Sequence, residues 1–231
     1  NIPAYGTASV AQMTFALILE LTQQPTLHNT SVRAGDWSNC PDFCYWKKPL
    51  VELDGLTLGL VGYGAIGQAV ARLGRAFGMK VIVHTRTARE EADTEFVDCE
   101  TVFRESDVVS LHAPLLQDTR HMLGSRELKL LKDGATLINT ARGAIIDQAS
   151  LEAELTSGRI FAILDTTDPD ELPPSNPLFT LPNVFLTPHI AGSLGAETQR
   201  LTDYIIAELE RYHQGRALKH LVRREHLARL A

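Results

Sequence analysis

The sequence predicts an α/β protein whose core is a doubly wound parallel sheet, and three observations support this fold class. From residue 56 onward, short apolar runs alternate with amphipathic or Ala-rich stretches, which is the order of strands joined by crossover helices. Most of the apolar runs are continuous, as expected for strands that helices cover on both faces. A Gly-x-Gly-x-x-Gly motif joins the first of these strands to the helix after it. Together these features favour a Rossmann-like architecture.

The same patterns give bounds for the individual elements. Strands are predicted at 57–61, 80–84, 107–111, 135–139, 160–164 and 184–187. Helices are predicted at 9–23, 65–77, 100–104, 125–130, 148–157 and 196–213. In this interpretation the first helix begins with a capping box, Ser9-x-x-Gln12. Residues 25–50 are expected to be irregular, with an aromatic loop that is typical of an interface or of a lid over a site.

The motif after the first strand reads Gly62-Tyr63-Gly64-Ala65-Ile66-Gly67, and each glycine has a mechanical role there. Gly62 permits the turn, Gly64 lets the backbone approach a pyrophosphate, and Gly67 lets the helix pack closely on the strand. The start of the following helix offers N–H groups and a positive dipole end to phosphates. The sequence therefore predicts a dinucleotide site, and the alternative is a tight strand–helix turn that binds nothing.

The residues after the second strand bear on which dinucleotide is bound. An acidic residue there binds the ribose 2′-hydroxyl of NAD, whereas an arginine accommodates the 2′-phosphate of NADP. Here the chain reads Thr85-Arg86-Thr87-Ala88-Arg89, with no acid and two guanidinium groups. Because an arginine can donate two parallel hydrogen bonds to a phosphate, Thr85 and Arg86 are predicted to contact the ribose side, with NADP(H) preferred and NAD(H) possible. The alternative is that Arg86 is a solvated loop residue.

Charged and titratable side chains follow three later strands, at the edge where open α/β sheets bind ligands. They are Arg142, the acidic residues between Asp165 and Glu171, and His189. An arginine grips a carboxylate, a histidine donates a proton, and a nearby carboxylate raises the pKa of a histidine. Each feature also has a structural reading, as a turn, a solvated loop or a strand end. Their joint occurrence after the dinucleotide motif predicts the reduction of a 2-keto acid.

The chain resembles the D-isomer-specific 2-hydroxyacid dehydrogenase family from Gly6-Thr7-Ala8-Ser9-Val10-Ala11-Gln12 to Pro188-His189-Ile190-Ala191-Gly192. It looks most like the glycerate dehydrogenase and hydroxypyruvate or glyoxylate reductase branch. The resemblance implies that Arg142 binds the substrate, that His189 is the acid/base, and that Asp165 holds the nicotinamide carboxamide. It also implies that the cofactor contacts Ala65, Ile66, His112, Ala113, Pro114, Thr119, Thr140, Ala141, His189 and Gly192.

One departure from the family pattern concerns the partner of His189. The usual Asp-Val-x-x-Pro-Glu-Pro segment here reads Asp165-Thr166-Thr167-Asp168-Pro169-Asp170-Glu171. The position of the histidine-pairing glutamate is therefore occupied by Asp170, whose side chain is one methylene shorter. Asp170 is expected to pair with His189. The alternatives are Glu171 as the partner, or a weaker pair.

A second departure concerns the domains. In the family, the nucleotide domain is inserted into a smaller, flavodoxin-like substrate domain, and this chain starts where the first crossover helix begins. Residues 1–193 are expected to form the nucleotide-binding domain, and residues 194–231 to return to a substrate domain that is largely absent. The chain is then expected to bind NADP(H) but to turn over poorly or not at all. The resemblance also implies a homodimer, formed through the helix and loop at 9–50.

Composition limits the partners. The net charge is −6 in 231 residues, which argues against a general nucleic-acid or membrane surface. No apolar stretch reaches the roughly 18 residues of a membrane helix. The odd set of Cys40, Cys44 and Cys99 favours a reducing, cytoplasmic setting over a disulfide scaffold. No second ligand pair accompanies Cys40 and Cys44, so a metal site is not expected.

The leading hypothesis is an enzyme that reduces a small 2-keto acid, such as hydroxypyruvate or glyoxylate, to the D-2-hydroxy acid. One alternative keeps the fold without catalysis, as a nicotinamide-sensing protein of the corepressor type. Another is a sister enzyme, a formate or 3-phosphoglycerate dehydrogenase. Arg142 and His189 argue against the first alternative. A carboxylate rather than an amide at Asp170 argues against a formate dehydrogenase.

Overall fold

The computed structural model describes residues 5–87, 91–192, 195 and 197–224. Its strands are β1 (Thr57–Val61), β2 (Lys80–His84), β3 (Glu95–Phe96), β4 (Val108–Leu111), β5 (Thr136–Asn139), β6 (Phe161–Leu164) and β7 (Val184–Leu186). Its helices are α1 (Thr7–Gln23), α2 (Pro25–Arg33), α3 (Ala65–Ala76), α4 (Cys99–Glu105), α5 (Ser125–Leu128), α6 (Gln148–Thr156) and α7 (Glu197–His213). Single 3₁₀ turns at Gly143–Ile145 and Pro177–Phe179 follow β5 and precede β7.

The strands form one parallel sheet in the order β3-β2-β1-β4-β5-β6-β7. Because β1 pairs with both β2 and β4, the chain winds outward from β1 in one direction and then returns to wind outward in the other. This is the doubly wound architecture that the alternation of strands and helices predicted. The predicted strands end within one residue of the observed ones, and the predicted fold class is confirmed.

Two short elements were not predicted. Strand β3 has two residues, Glu95 and Phe96, and is too short to give a periodic signal. Helix α2 lies in the stretch expected to be irregular, and Ser31 is its one buried residue, so no apolar stripe marks it in the sequence. It starts after Gln24, which turns the chain with φ +48°, and Pro25 suits its first turn.

The predicted capping box of α1 is wrong. The helix begins at Thr7 after Gly6, without a side-chain cap, so Ser9 and Gln12 lie inside its first turns. Gly6 packs against the chain after β7, where a Cβ on Gly6 would lie 2.8 Å from the carbonyl oxygen of Gly192. This close contact fixes the start of the helix two residues earlier than the sequence pattern placed it.

Apolar side chains of the strands alternate between two cores. Along β4, Val109 and Leu111 pack beneath α4, α5 and α6, whereas Val108 packs beneath α1 and α3. On the second face, Phe15 of α1 also stacks on Phe77 with ring centroids 5.3 Å apart. Since helices cover both faces, the carboxyl edge of the sheet is left open for a ligand.

Some predictions fall at or beyond the limits of the described residues. The predicted domain boundary at 193–194, the predicted start of the last helix at 196, and Arg89 lie outside them. Among the described helices, none is both long and apolar enough to cross a membrane.

We expect Asn183→Ala to destabilise the fold. The buried Asn183 amide donates to the carbonyl oxygens of Leu155 and Ile160, at 2.9 and 2.8 Å, and so ties α6 to the start of β6. Without this amide, two carbonyls lose a partner, and the free energy of unfolding in urea falls by about 2–4 kcal/mol. Asn29→Ala, which removes one exposed hydrogen bond from Arg33, is the control and changes it by less than about 0.5 kcal/mol. Equal stability of the two variants would contradict this expectation.

Candidate functional site

A cleft of about 560 Å³ opens at the carboxyl edge of the sheet. It lies beside β1 and β4, where the winding direction reverses, and open α/β sheets bind their ligands at this place. Its walls come from the turns after β4, β5, β6 and β7 and from the N-terminal parts of α1 and α3. Six separate segments of the chain therefore meet around one space.

The three glycines of the motif differ in what they touch. A Cβ on Gly62, which has φ +100°, would lie 2.6 Å from the backbone of His112, and a Cβ on Gly67 would lie 2.3 Å from the Gly62 carbonyl oxygen. The packing of the chain therefore requires both. Gly64 has an ordinary φ of −76°, and a Cβ there would meet nothing within 4 Å. The open space at Gly64, in front of a helix without a side-chain cap, leaves room for the pyrophosphate of a dinucleotide.

Two polar side chains on the cleft wall bear on what it can bind. Thr140 is 8% exposed, and its buried hydroxyl has no hydrogen-bond partner among the described residues. Such a group fits a polar ligand, because an unpaired buried hydroxyl costs free energy. Burial lowers the pKa of His112 to about 4, and its Nε2 lies 3.0 Å from the Ser110 hydroxyl. His112 is therefore neutral near pH 7 and holds no proton to donate as an imidazolium.

Arg142 stands on a turn that a buried side chain shapes. Asn139, at the end of β5, accepts from the Ala141 N–H at 3.1 Å and donates to the Arg142 carbonyl oxygen at 2.9 Å. The next residue, Gly143, touches the chain after β6, since a Cβ there would lie 2.0 Å from the Thr167 carbonyl. The turn that carries Arg142 therefore packs against the loop at 165–171. The guanidinium of Arg142 is exposed at the cleft.

Asp165 and His189 lie on adjoining walls of the cleft. The buried Asp165 carboxylate accepts from the Thr187 hydroxyl at 2.6 Å and from the Ile190 N–H at 2.9 Å, both at Oδ1. Its Oδ2 accepts from the Ala191 N–H at 2.9 Å. His189 lies between these donors with φ +56°. The end of β6 is therefore tied to the loop that carries the histidine.

Among the described residues, the carboxylate within ion-pair distance of the His189 imidazole belongs to Asp170. Its Oδ1 lies 4.0 Å from Nδ1 of the imidazole, at the limit of an ion pair, and its side chain is 72% exposed. Among the described residues, Glu171 has no such contact with His189. The loop is anchored on its other side, where Asp168 lies 3.5 Å from His121 Nε2.

The structure brings most of the predicted site residues together, but not all. Those that line the cleft are Ile66, His112, Ala113, Pro114, Thr140, Ala141, Arg142, Asp165, His189 and Gly192. The others stand outside its lining: Gly62 and Gly64 in the turn after β1, Ala65 and Gly67 in the first turn of α3, Thr85 and Arg86 after β2, and Thr119 and Asp170. The hydroxyl of Thr119 is used in the turn itself, since it donates to the Pro114 carbonyl at 2.6 Å and accepts from the Leu116 N–H at 2.7 Å.

The sequence did not predict part of the lining. The residues concerned are Tyr5, Gly6, Thr7, Val10, Leu115 and Ala191. The first four lie far from the other walls along the chain, and no binding motif includes them. A run of small residues at 6–8 was the one signal, because small side chains let α1 approach the loop after β7.

Arg86 has a partner that the residues around it do not reveal. Its Nη1 lies 3.5 Å from Oδ2 of Asp118, 32 residues further along the chain. Both side chains are more than half exposed, at 64% and 61%. A carboxylate therefore lies next to the residues after β2, although it belongs to the turn between β4 and α5.

An open turn at Gly64 leads into α3, while Thr140, whose hydroxyl has no partner among the described residues, and His189 both line the cleft. The first two suit a dinucleotide, and the third can move a proton. The fold and the cleft together define a dinucleotide-dependent oxidoreductase.

Comparison with known proteins gives the family. The family model of the D-isomer specific 2-hydroxyacid dehydrogenase NAD binding domain matches residues 15–191. The chain is 37% identical over 219 residues to a hydroxypyruvate reductase from Blautia hydrogenotrophica, covering 93% of this chain and 68% of that protein. It is 38% identical over 231 residues to a glyoxylate reductase from Aeropyrum pernix, covering 97% and 69%. The chain belongs to the D-isomer specific 2-hydroxyacid dehydrogenase family and is an oxidoreductase of that class, as the sequence predicted.

Solved structures share the architecture. An acyclic imino acid reductase (Bsp5) in complex with NADPH and D-Arg matches with a TM-score of 0.84 and 32% identity, over 96% of this chain and 70% of that one. A D-lactate dehydrogenase with NAD+ from Lactobacillus jensenii matches with a TM-score of 0.82 and 28% identity, over 97% and 71%. A nicotinamide cofactor is thus confirmed, whereas the preference for NADP(H) and the expected poor turnover stay predictions.

The contrast between Gly62 and Gly64 gives a paired test. Gly62→Ala is expected to lower the free energy of unfolding by about 3 kcal/mol or more, because its methyl group meets the backbone of His112 at a positive φ. Gly64→Ala is expected to leave stability unchanged and to weaken NADH and NADPH binding at least about tenfold, because its methyl group fills space left for the ligand. Thermal unfolding and fluorescence titration measure the two effects. Undiminished binding by Gly64→Ala would mean that the space at Gly64 holds no part of the dinucleotide.

Proposed function

We propose that this protein reduces a small 2-keto acid, such as hydroxypyruvate or glyoxylate, to the D-2-hydroxy acid and catalyses the reverse oxidation. One observation carries the proposal: Arg142 and His189 line one cleft, with Asp170 at 4.0 Å from the His189 imidazole. The names of two similar proteins, a hydroxypyruvate reductase and a glyoxylate reductase, support the choice of substrate. A non-catalytic sensing role is not favoured, because it would have no use for these groups.

His189 is the proton donor in this proposal. Its Nδ1 faces Asp170, which leaves Nε2 to donate a proton to the substrate carbonyl oxygen. The reduced nicotinamide, when bound, supplies the hydride that reaches the keto carbon. The proton from Nε2 completes the hydroxyl group, and the neutral imidazole regains a proton from water. In the oxidation direction the same nitrogen accepts the hydroxyl proton.

Arg142 is the substrate-binding residue. One of its N–H groups donates to the Ala141 carbonyl oxygen at 2.7 Å, which folds the side chain back on its own turn. A guanidinium has five N–H donors, so others remain to bind the substrate carboxylate. Because Asn139 fixes the turn, the bound carboxylate would be held at a set distance from His189, and orientation of this kind lowers the barrier.

The cofactor contacts follow from the open parts of the cleft. Gly64, Ala65 and Ile66 would hold the pyrophosphate at the start of α3, where N–H groups and the helix dipole favour negative charge. The unpaired Thr140 hydroxyl would bind on the nicotinamide ribose side. Asp165 uses three acceptor positions within the protein, and the remaining lone pair of its Oδ2 would accept from the nicotinamide carboxamide.

We favour NADP(H) over NAD(H) as the cofactor. Support comes from the Arg86 guanidinium and from hydroxyl groups in place of an acid in Thr85-Arg86-Thr87. Asp118 opposes this preference, because its carboxylate pairs with Arg86 and would repel a 2′-phosphate. The selectivity is therefore set by the balance between two exposed side chains.

A homodimer formed through α1 and residues 25–50 is part of the same proposal. In the single chain, Phe43 is 90% exposed, Trp46 67% and Trp37 52%. Such aromatic side chains, grouped in one segment, are typical of an interface. Residues 1–193 would form the nucleotide-binding domain of each subunit, and residues 194–231 would return to the substrate domain.

Three substitutions test the proton donor and its partner, assayed in a form of the protein that carries the proposed substrate domain. His189→Gln is expected to lower kcat for glyoxylate reduction by about 10³-fold, because no other group delivers the proton. Asp170→Asn is expected to lower kcat about two- to fivefold, since the imidazole loses the charge that faces its Nδ1. Glu171→Gln is the control and leaves kcat unchanged. A loss of kcat with Glu171→Gln alone would assign the pairing to Glu171.

The balance between Arg86 and Asp118 is tested by titrating this chain with NADPH and NADH. Arg86→Ala is expected to weaken NADPH binding by about tenfold or more, because a charged hydrogen-bond donor is lost, and to leave NADH binding nearly unchanged. Asp118→Asn is expected to tighten NADPH binding by about two- to fivefold. If NADPH binding is the same in Arg86→Ala as in the parent chain, Arg86 does not bind the 2′-phosphate.

A further inference from the structure

We propose that Asp165 is a positioning residue that holds the backbone of His189 in the conformation from which its imidazole works. The proposal rests on the proposed function of His189 as the acid/base. It gives Asp165 a second role, beyond a contact with the nicotinamide. The role is exercised through the three hydrogen bonds between its carboxylate and the loop at 187–191.

The donors to Asp165 flank His189 on both sides along the chain. Thr187 precedes the histidine, and Ile190 and Ala191 follow it. A rotation of the backbone at His189 must therefore move at least one donor away from the carboxylate. The bonds restrict the direction of the imidazole although none of them involves the His189 side chain.

The conformation of this loop needs external support. His189 has φ +56°, in the left-handed region that residues other than glycine rarely adopt. Its N–H donates to the Thr187 carbonyl oxygen at 3.0 Å, which closes a very tight turn around Pro188. Such turns persist where the surrounding structure fixes them. The Asp165 carboxylate supplies this fixation.

A carboxylate suits the task better than an amide would. Asp165 is 2% exposed, and N–H and O–H groups of a single loop surround its two oxygens. Hydrogen bonds to a charged acceptor are stronger than neutral ones, and a buried charge holds its donors because it has no water to replace them. An asparagine would offer one acceptor oxygen and would turn an NH₂ group toward one of the donors.

Thr187 makes it possible to separate positioning from cofactor contact. It donates to Asp165 but does not line the cleft, so Thr187→Val removes one bond and leaves the carboxylate in place. Thr166 provides the matched control, since it adjoins Asp165, is 4% exposed and has no hydrogen-bond partner for its hydroxyl among the described residues. Thr166→Val therefore makes the same change of atoms without loss of a bond.

Amide hydrogen exchange, measured residue by residue by NMR on this chain, tests the backbone claim. In Asp165→Asn the amides of Ile190 and Ala191 are expected to exchange about tenfold faster, and in Thr187→Val about threefold faster, because bonds that close the loop are lost. The Ala162 amide, which donates to Asn183 in the sheet, is expected to keep its rate. Thr166→Val is expected to change none of these rates.

Steady-state kinetics, on a form of the protein that carries the proposed substrate domain, supply the second readout. Thr187→Val is expected to lower kcat for glyoxylate severalfold without changing the KM for NADPH, and Thr166→Val to change neither. The positioning role is overturned if the Ile190 and Ala191 amides keep their rates in Thr187→Val, or if amides of the whole sheet accelerate equally. If the parent protein reduces no 2-keto acid, the proposed function fails, and the exchange rates still decide whether Asp165 holds the loop. Should Asp165→Asn fail to fold, Thr187→Val decides alone.

Discussion

Close backbone contacts between the turns that follow the strands hold the cleft together. At Gly62 and at Gly143 the chain meets the backbone of another turn so closely that a methyl group would overlap it. Gly6 makes a similar contact with Gly192, which joins the start of α1 to the loop after β7. Parallel strands place all these turns at one edge of the sheet, and the absence of side chains lets them touch. These contacts determine where Arg142, Asp165 and His189 lie on the walls of the cleft.

Most of the fold could be predicted because its signals are local. Continuous apolar runs mark the buried strands, and the glycine motif marks one strand–helix junction. Strand β3 and helix α2 were not predicted because they lack such a local signal. Neither buries enough apolar surface to give a hydrophobic pattern in the sequence. The start of α1 was misplaced because a contact with Gly192, distant in sequence, overrides the capping box at Ser9.

Predictions of the site from sequence were less complete, and the gaps have a common cause. The residue types at strand ends indicated Arg142 and His189, but not which partners each would meet. Asp118, which lies on another turn, forms an ion pair with Arg86. The carboxylate of Asp165 accepts three hydrogen bonds from the loop after β7. These contacts depend on how separate turns pack against one another. The spacing of residues along the chain does not predict that packing.

The two histidines of the cleft show how one edge of a sheet offers different chemistry at neighbouring strands. Burial lowers the pKa of His112 to about 4, so this ring is a neutral hydrogen-bonding group beside Ser110. His189 stands in an exposed loop, with its Nδ1 4.0 Å from the Asp170 carboxylate. The division between a fixed polar wall and a proton donor is thus set by depth in the cleft and not by residue type.

The different surroundings of Gly62 and Gly64 have a consequence for how each position can change during evolution. Substitution of Gly62 is opposed by the folded chain itself, whether or not a ligand is bound, because an added methyl group would overlap the backbone of His112. At Gly64 a methyl group would meet nothing within 4 Å, so the fold itself does not require a glycine there. If the dinucleotide occupies this space, as proposed, a lineage that lost its cofactor would keep the first glycine and be free to replace the second.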